Sequence, residues 1–416
     1  MYETISIEEM NKPTVIICNN GFESDAASAA SGKGMPGIRT VFETVPCEAT
    51  LYEQIEPGIQ AVMDDIITSL TKPLTLEEES PTPLEREEPS RIAFKGSFAE
   101  VNQFFYKRGW TDGLPIVPPT EEAVAEMMAG TDLSGDHVVV KIVPRMGKAT
   151  VEKIAVNAVM AGALPTYMPF LIAGVQALVE PESKFGGWHA STGSLAPFWI
   201  INGPSRKDLN INSGSGALSP GDIANASIGR AMGLIIKNIG GARKGIEDMG
   251  IYGNPGKYTM VLGENEEDSP WEPLHVEEGH KDTENAITVS FINGFWMTIP
   301  TGTEEKGILK TIKENVSVPR RSALFLIMTP QHAKFLSENG WIKRELAAFI
   351  SGTRITMGII TTSSPSWVRI LVAGGPGNMM CLVSGHKGVT KRVDLPKNWG
   401  DLVDKYKNLV PTYVKY

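Results

Sequence analysis

Between residues 222 and 239, small and branched apolar residues return every three or four positions: Ala224, Ile228, Ala231, Ile235 and Ile239. That spacing predicts a helix with one narrow stripe against a core. Ser219-Pro220-Gly221-Asp222 reads as its start. Ser219 can cap, Pro220 suits the first position because its missing N–H would be unbonded there, and Asp222 complements the dipole. Gly240 and Gly241 mark its end. Ahead of it lie Gly186-Gly187-Trp188-His189-Ala190-Ser191, a short apolar run at 198–201, and the polar tract from Asn210 through Asn212 to Gly216. A glycine- and amide-rich loop feeding a buried helix N-terminus offers free N–H groups to an anion. A tight turn packed under a domain has the same composition.

Upstream, 14–18 is a continuous β-type run, 22–32 is Ala- and Ser-rich, 38–45 is a second strand, and 55–70 has the apolar period of a helix. Strand, helix, strand, helix implies a parallel pair with a crossover, as in open α/β sheets. Two strands cannot cover their own edges and faces, so this half-Rossmann-like unit is expected to need a complement.

Residues 72–91 (KPLTLEEESPTPLEREEPSR) are rich in Pro and Glu and read as a solvated linker. Beyond them, helices are expected at 98–108, 121–129, 150–161, 168–179, 330–340 and 342–350. Strands are expected at 137–143, 258–262, 286–291, 323–328 and 368–372. The expected fold class is therefore α/β: a small N-terminal β-α-β-α unit (1–72), an acidic linker (73–92), and a large mixed α/β domain (93–416) that binds substrate.

A length of 416 residues calls for more than one folding unit. A net charge of −9 argues against general nucleic-acid binding, which needs clustered Lys and Arg. No apolar run reaches the ~18–20 residues of a membrane span. The acidic start, Met1-Tyr-Glu-Thr-Ile, lacks the pattern of an export signal, and three cysteines make no disulfide scaffold, so a cytoplasmic location is expected.

The densest polar cluster runs from Glu264 to His280 and includes Glu272, His275 and Glu277. Carboxylates and imidazoles this close can supply an acid–base pair or metal ligands, although neither His-Glu-x-x-His nor paired Cys-x-x-Cys occurs. A solvated acidic loop is the alternative. His189, on a Gly/Ser loop beside Trp188, suits catalysis better than a histidine inside an apolar helix, or it bonds a backbone carbonyl. Arg230 can hold a substrate carboxylate, or pair with Asp222 or Asp248. The loop Gly374-Gly375-Pro376-Gly377 follows a strand without a nucleotide-binding signature, and leaves room for a ligand at the carboxyl edge of a sheet. Cys18 and Cys47 stand just past the ends of the two opening strands, where a nearby helix N-terminus can activate a thiol; unpaired cysteines are otherwise inert packing residues. Cys381 sits in an apolar run and reads as core.

Residues 14–74, through Pro13-Thr-Val-Ile-Ile-Cys18 and Gly34-Met35-Pro36-Gly37-Ile-Arg39, resemble the carboxyl-terminal half of the UGSC-like domain. That family is named for a selenocysteine- or cysteine-Gly-Ser-Cys motif and is distantly similar to the selenoprotein subunits of glycine-reductase-type enzymes. The motif itself is absent from this chain. The larger part resembles bacterial proteins associated with that domain, through Gly109-Trp-Thr-Asp-Gly-Leu-Pro115, the run 149–162, Ala224-Asn-Ala-Ser-Ile-Gly-Arg230 and Ala373-Gly-Gly-Pro-Gly377.

The resemblance implies that a separate chain carries the Cys/Sec-Gly-Ser-Cys half and that the active site lies at the junction of a hetero-oligomer. No cofactor is evident beyond that partner's thiol or selenocysteine, and the sequence leaves metal dependence open. The expectation is a subunit of a thiol- or selenol-dependent enzyme that cleaves a carbon–heteroatom bond in a small anionic organic substrate. His189, Glu272, His275 and Glu277 would move protons, with Cys18 and Cys47 as candidate thiols. Trp188, Ser191, Asn212, Asn225, Arg230, Gly374, Gly375 and Gly377 would hold the substrate. A thiol-independent hydrolase or hydro-lyase using His and Glu, and a non-catalytic scaffold, are the competing readings.

Overall fold

The computed structural model describes residues 2–45, 51–80, 90–302, 304–315, 323–352, 355–356, 359–360 and 364–409. Strands β1 (Ile16–Asn19) and β2 (Thr40–Glu43) pair in parallel, with helix α1 (Glu23–Gly32) between them in sequence. Among the described residues no third strand joins this pair. The single helix expected at 55–70 is two, α2 (Tyr52–Ala61) and α3 (Met63–Thr71), which part at Val62 where the backbone leaves helical geometry. Arg39 draws the following segment back onto the unit. Its guanidinium donates to both Glu78 carboxylate oxygens and to the carbonyls of Ser69, Lys72 and Pro73. The stretch 73–80 is therefore bound rather than free; residues 81–89 lie outside the described ones.

The larger part begins with α4 (Phe98–Lys107), α5 (Glu121–Met128) and an antiparallel hairpin of β3 (Val138–Ile142) and β4 (Gly147–Thr150). Three helices follow: α6 (Val151–Ala161), α7 (Met168–Val179) and the single turn α8 (Phe185–Trp188). Then come β5 (Ala196–Asn202), α9 (Ile223–Ile235), β6 (Val261–Gly263), the short α10 (Leu274–Glu277) and the long β7 (Asn285–Thr298). The last elements used below are α11 (Glu305–Asn315), β8 (Ala323–Met328), α12 (Pro330–Glu338), α13 (Lys343–Gly352), β9 (Val368–Val372), β10 (Met380–Gly385) and β11 (Val389–Val393). Cys381, read as core, lies half-buried in β10.

These strands form one mixed seven-stranded sheet in the order β9-β8-β10-β7-β5-β6, with β11 beside the first part of β7. Alternation along the strands shows how the sheet curls. Trp199 and Ile201 of β5 join the core beneath α6, α7 and α9, while Phe198 and Ile200 face the other way. Leu324, Leu326 and Met328 of β8 pack with α11 and α13, while Phe325 and Ile327 meet Phe198 and Ile200 on the shared inner face. The rings of Phe198 and Phe325 meet edge to face at 5.7 Å, and burial of each contributes about 1.5–3 kcal/mol. The curl brings the two sheet edges together at one rim. There the Asn265 N–H donates to the Val372 carbonyl at 2.7 Å, and the Gly374 N–H to the Ser213 carbonyl at 2.9 Å.

The small unit rests on the large one through α1. A Cβ on Gly32 would lie 2.0 Å from the Pro144 carbonyl oxygen, and Ser28 Oγ donates to Glu247 Oε1 at 2.8 Å. Among the described residues no helix is long and apolar enough to cross a membrane.

Candidate functional site

Helix α9 begins at Ile223, later than the Ser219 start expected, with Asp222 in the capping position. No side-chain cap bond forms at its N-terminus. The Asp222 carboxylate instead accepts from Asn212 Nδ2 at 2.8 Å, and the Asn212 amide oxygen takes the Gly214 N–H. Asn225 holds this loop from inside. Its Oδ1 accepts from the Asn212 N–H at 2.8 Å, and its Nδ2 donates to the carbonyls of Asn212 and Val261, each at 3.1 Å. Both amides expected to grip substrate are thus committed to the fold. Gly374, Gly375 and Gly377 come to the same place. A Cβ on Gly375 would sit 1.8 Å from Ser215 Oγ, and the Gly377 N–H donates to Gln331. The two glycine-rich loops therefore pack on each other, and that close approach requires glycine at 375. The cleft beside the start of α9 holds about 750 Å3 and includes Ala217, Pro220, Tyr252 and Phe295; among the described residues no charged side chain lines it.

The charged cavity lies at the other end of the helix. After Ile235 the chain widens into a π-turn, Ile236–Gly240, which closes at Gly241 in the left-handed region with φ 85°. Such turns frequently occur at functional sites. Asn238 Nδ2 fixes the turn by donating to the Trp110 carbonyl at 3.0 Å and to Asn157 Oδ1 at 2.8 Å. Lys237 Nζ donates to the Thr111 carbonyl. Arg230 closes on Asp112 rather than on Asp222 or Asp248, and also donates to the Pro115 carbonyl. The turn 109–115 is thereby bound by one side chain of α9 and two of its π-turn.

Between that turn, α8, α9 and the loop 242–258 is a cavity of about 500 Å3. Its charged lining is Arg230, Lys237, Lys244 and Lys257 against Asp112 and Asp248, with His189 beside Phe185 and Phe291. Lys257 and Asp248 neutralise each other at 2.5 Å, as do Arg230 and Asp112. Lys237 and Lys244 have no carboxylate partner among the described residues, so the cavity carries two positive charges in excess. Burial lowers the Lys237 amine below its usual range, while Asp112 acts in the opposite sense.

His189 lines this cavity and is 6% exposed. Its Nδ1 lies 2.9 Å from the Phe185 carbonyl, which can only accept, so Nδ1 carries the proton. The lone pair of the neutral imidazole is then on Nε2, which has no hydrogen-bond partner among the described residues. Burial pushes its pKa down; the Phe185 carbonyl and Asp248 partly offset this. A neutral imidazole with an unpartnered nitrogen, in the same cavity lining as an unmatched ammonium, has the chemistry to accept a proton from an acid. Trp188 turns elsewhere and stacks on His386 at 3.6 Å, and Ser191 Oγ accepts the Gly193 N–H.

The acidic stretch is not a solvated loop. Glu264 is fully buried and receives Asn202 Nδ2 and the Leu274 N–H, with Lys343 Nζ at 3.4 Å. Glu266 takes Arg206 and Asn202. Glu277 takes Lys343 at 2.9 Å, and burial nonetheless raises its pKa. His275 is fully buried, with neither ring nitrogen hydrogen-bonded among the described residues and Nδ1 3.9 Å from Glu266 Oε1, whereas Glu272 is exposed. These groups form an ionic layer at the sheet rim, away from the cavity of His189, which none of them lines. Among the described residues no set of three His, Cys, Asp or Glu is placed to hold a metal ion.

Cys18 lies inside β1 rather than past its end, and burial together with Asp25 and Glu23 pushes its thiol pKa up. Cys47 lies outside the described residues. Lys237 escaped notice in the sequence, although it is the one charge in the apolar run 231–239, and a lone cation there carries a detectable signal. Comparison with protein-family models, with curated proteins and with solved structures finds no match.

Proposed function

We propose that this chain is the substrate-binding subunit of a heteromeric, thiol- or selenol-dependent enzyme, and that its substrate is a small organic anion held in the His189 cavity. The observation that carries this reading is the excess of positive charge in a half-enclosed space lined by His189, whose buried Nε2 has no hydrogen-bond partner among the described residues. Lys237, Lys244 and the uncommitted Nη1 of Arg230 would hold the anion, and His189 would take or give a proton. The sulfur or selenium would come from the separate chain that supplies the Cys/Sec-Gly-Ser-Cys half of the first unit. Two facts support an outside source. Neither described thiol lines the cavity, and both have raised pKa values. The first unit also docks through Ser28 on Glu247, whose neighbour Asp248 lines the cavity. The reaction would be reductive or nucleophilic cleavage of a carbon–heteroatom bond.

Purification of the assembly from its native source tests the reading. A motif-bearing partner, with activity that alkylation abolishes, is the expected result; a chain fully active alone overturns it. The free Nε2 of His189 also favours a second reading, a thiol-independent hydrolase or hydro-lyase. Activity indifferent to alkylation under reducing conditions selects that one.

A further inference from the structure

Lys237 differs from the other cavity cations in its surroundings. Arg230 and Lys257 each face a carboxylate, and Lys244 is exposed at the rim. Lys237 is half-buried and points its nitrogen at a neutral backbone carbonyl, that of Thr111. The π-turn and the Asn238 bonds to Trp110 and Asn157 hold its backbone. An amine so placed keeps a lone pair more readily than one paired directly with a carboxylate, because Asp112, the charge that favours its ammonium form, is itself held by Arg230. The lowering by burial is in the same direction.

We propose that Lys237 is a carbonyl-condensing amine and that the cavity takes a small oxo acid, its carboxylate on Arg230 Nη1 and Lys244 and its carbonyl carbon at Lys237 Nζ. This rests on the anion-binding reading above and narrows its substrate class. The neutral amine attacks the carbonyl carbon, a C–N bond forms, and the C–O π pair moves to oxygen, which takes a proton. Nitrogen sheds a proton to the free Nε2 of His189, and that proton leaves with the departing hydroxyl as water. One proton is taken up overall, no electrons change hands, and the product is an iminium ion, which withdraws electrons from the adjacent carbon.

The test is reductive trapping on the full-length chain with pyruvate and sodium cyanoborohydride, followed by intact mass and peptide mapping. The expected product is one adduct on Lys237, with the mass of pyruvic acid less one oxygen atom. It should form faster than on exposed lysines, because an amine whose pKa is lowered has a larger neutral fraction. Lys237→Arg keeps the charge and should abolish that adduct, and Lys237→Met provides a second variant should the first not fold. Labelling spread over surface lysines, unchanged by either substitution, overturns the proposal. Oxalate, an anion with no carbonyl to condense, separates the two readings by calorimetry. Oxalate binding that Arg230→Gln weakens, without any pyruvate adduct, removes the iminium and leaves the anion site standing. Absence of both removes the two together.

Discussion

Arg230 meets Asp112 across 118 residues of sequence with two parallel hydrogen bonds, Nε to Oδ2 at 2.7 Å and Nη2 to Oδ1 at 3.0 Å. Both side chains are under one-fifth exposed. The pair fastens the turn 109–115 over the cavity, so it supports the site as well as lining it. Asp112→Asn should destabilise the protein by about 2–3 kcal/mol, because it leaves a part-buried guanidinium without its counter-charge. Arg230→Lys, which cannot reproduce the fork, should cost nearly as much. A double-mutant cycle followed by urea melts checks this, and additive losses would show that the two do not act as a unit.

The same pair has a pH signature. Burial raises the Asp112 pKa, but the Arg230 hydrogen bonds and charge outweigh it, so the folded-state value lies below the unfolded one. Stability from the pair is therefore complete above the unfolded value near ~3.9 and is lost as pH falls through the lower folded value. Acid melts of the wild type and of Asp112→Asn should converge at the bottom of that range.

Asn225 offers a sharper test of what the glycine-rich loop is for. Its amide donates to the carbonyls of Asn212, Val261 and, more distantly, Ala217, and accepts one N–H, all inside the fold. Asn225→Asp would aim a buried carboxylate at those carbonyls, with a loss on the order of 3–5 kcal/mol at pH 7. The introduced acid would have a raised folded-state pKa, so the deficit should shrink as pH falls through it. A substrate-gripping role predicts the reverse pattern, lost binding in a protein of normal stability. Thermal melts at pH 7 and pH 5 distinguish the two.

What could be read along the chain was whatever a short window contains. The stripe Ala224, Ile228, Ala231 and the apolar run at 323–328 declare a helix and a strand because their partners are generic cores. The end of α9 did not, since a π-turn has the composition of an α-helix and differs only in bonding. Glu264 reads as solvated because Lys343, which neutralises it, stands 79 positions away. His189 was legible as chemistry by its loop, whereas its companions Lys237 and Asp112 come from separate elements that only the fold brings to one cavity. Chemistry assembled from three distant segments leaves no local pattern.

Cysteine reactivity should follow burial. Cys18 is held up by desolvation and two acidic neighbours, and Cys381 is pushed to about 12 by desolvation alone. The thiolate is the nucleophile, so both should react with iodoacetamide more slowly at pH 7.5 than a free cysteine, for which the ordinary value is ~8.5. Time-resolved peptide mapping measures this. Rapid labelling of Cys18 would return a thiol of this chain to the list of candidate nucleophiles.

His386 supplies a stability test at a residue that lines neither cavity. Its ring lies 3.6 Å from that of Trp188, nearly parallel, and burial together with Lys184 drops its pKa from the ordinary 6.5 to about 4. Between those values the unfolded chain binds a proton that the folded chain refuses, so stability falls as pH drops from 6.5 and levels off below 4. The half-buried position limits the loss to on the order of 2 kcal/mol. His189 is shifted in the same direction and contributes its own slope. Replacing His386 with phenylalanine keeps a ring on Trp188 and removes one titration, so the difference between the two proteins isolates it. The variant should lose less stability than the wild type between pH 6.5 and 4 in guanidinium melts. Identical slopes would mean that the imidazole takes up its proton without leaving the stack.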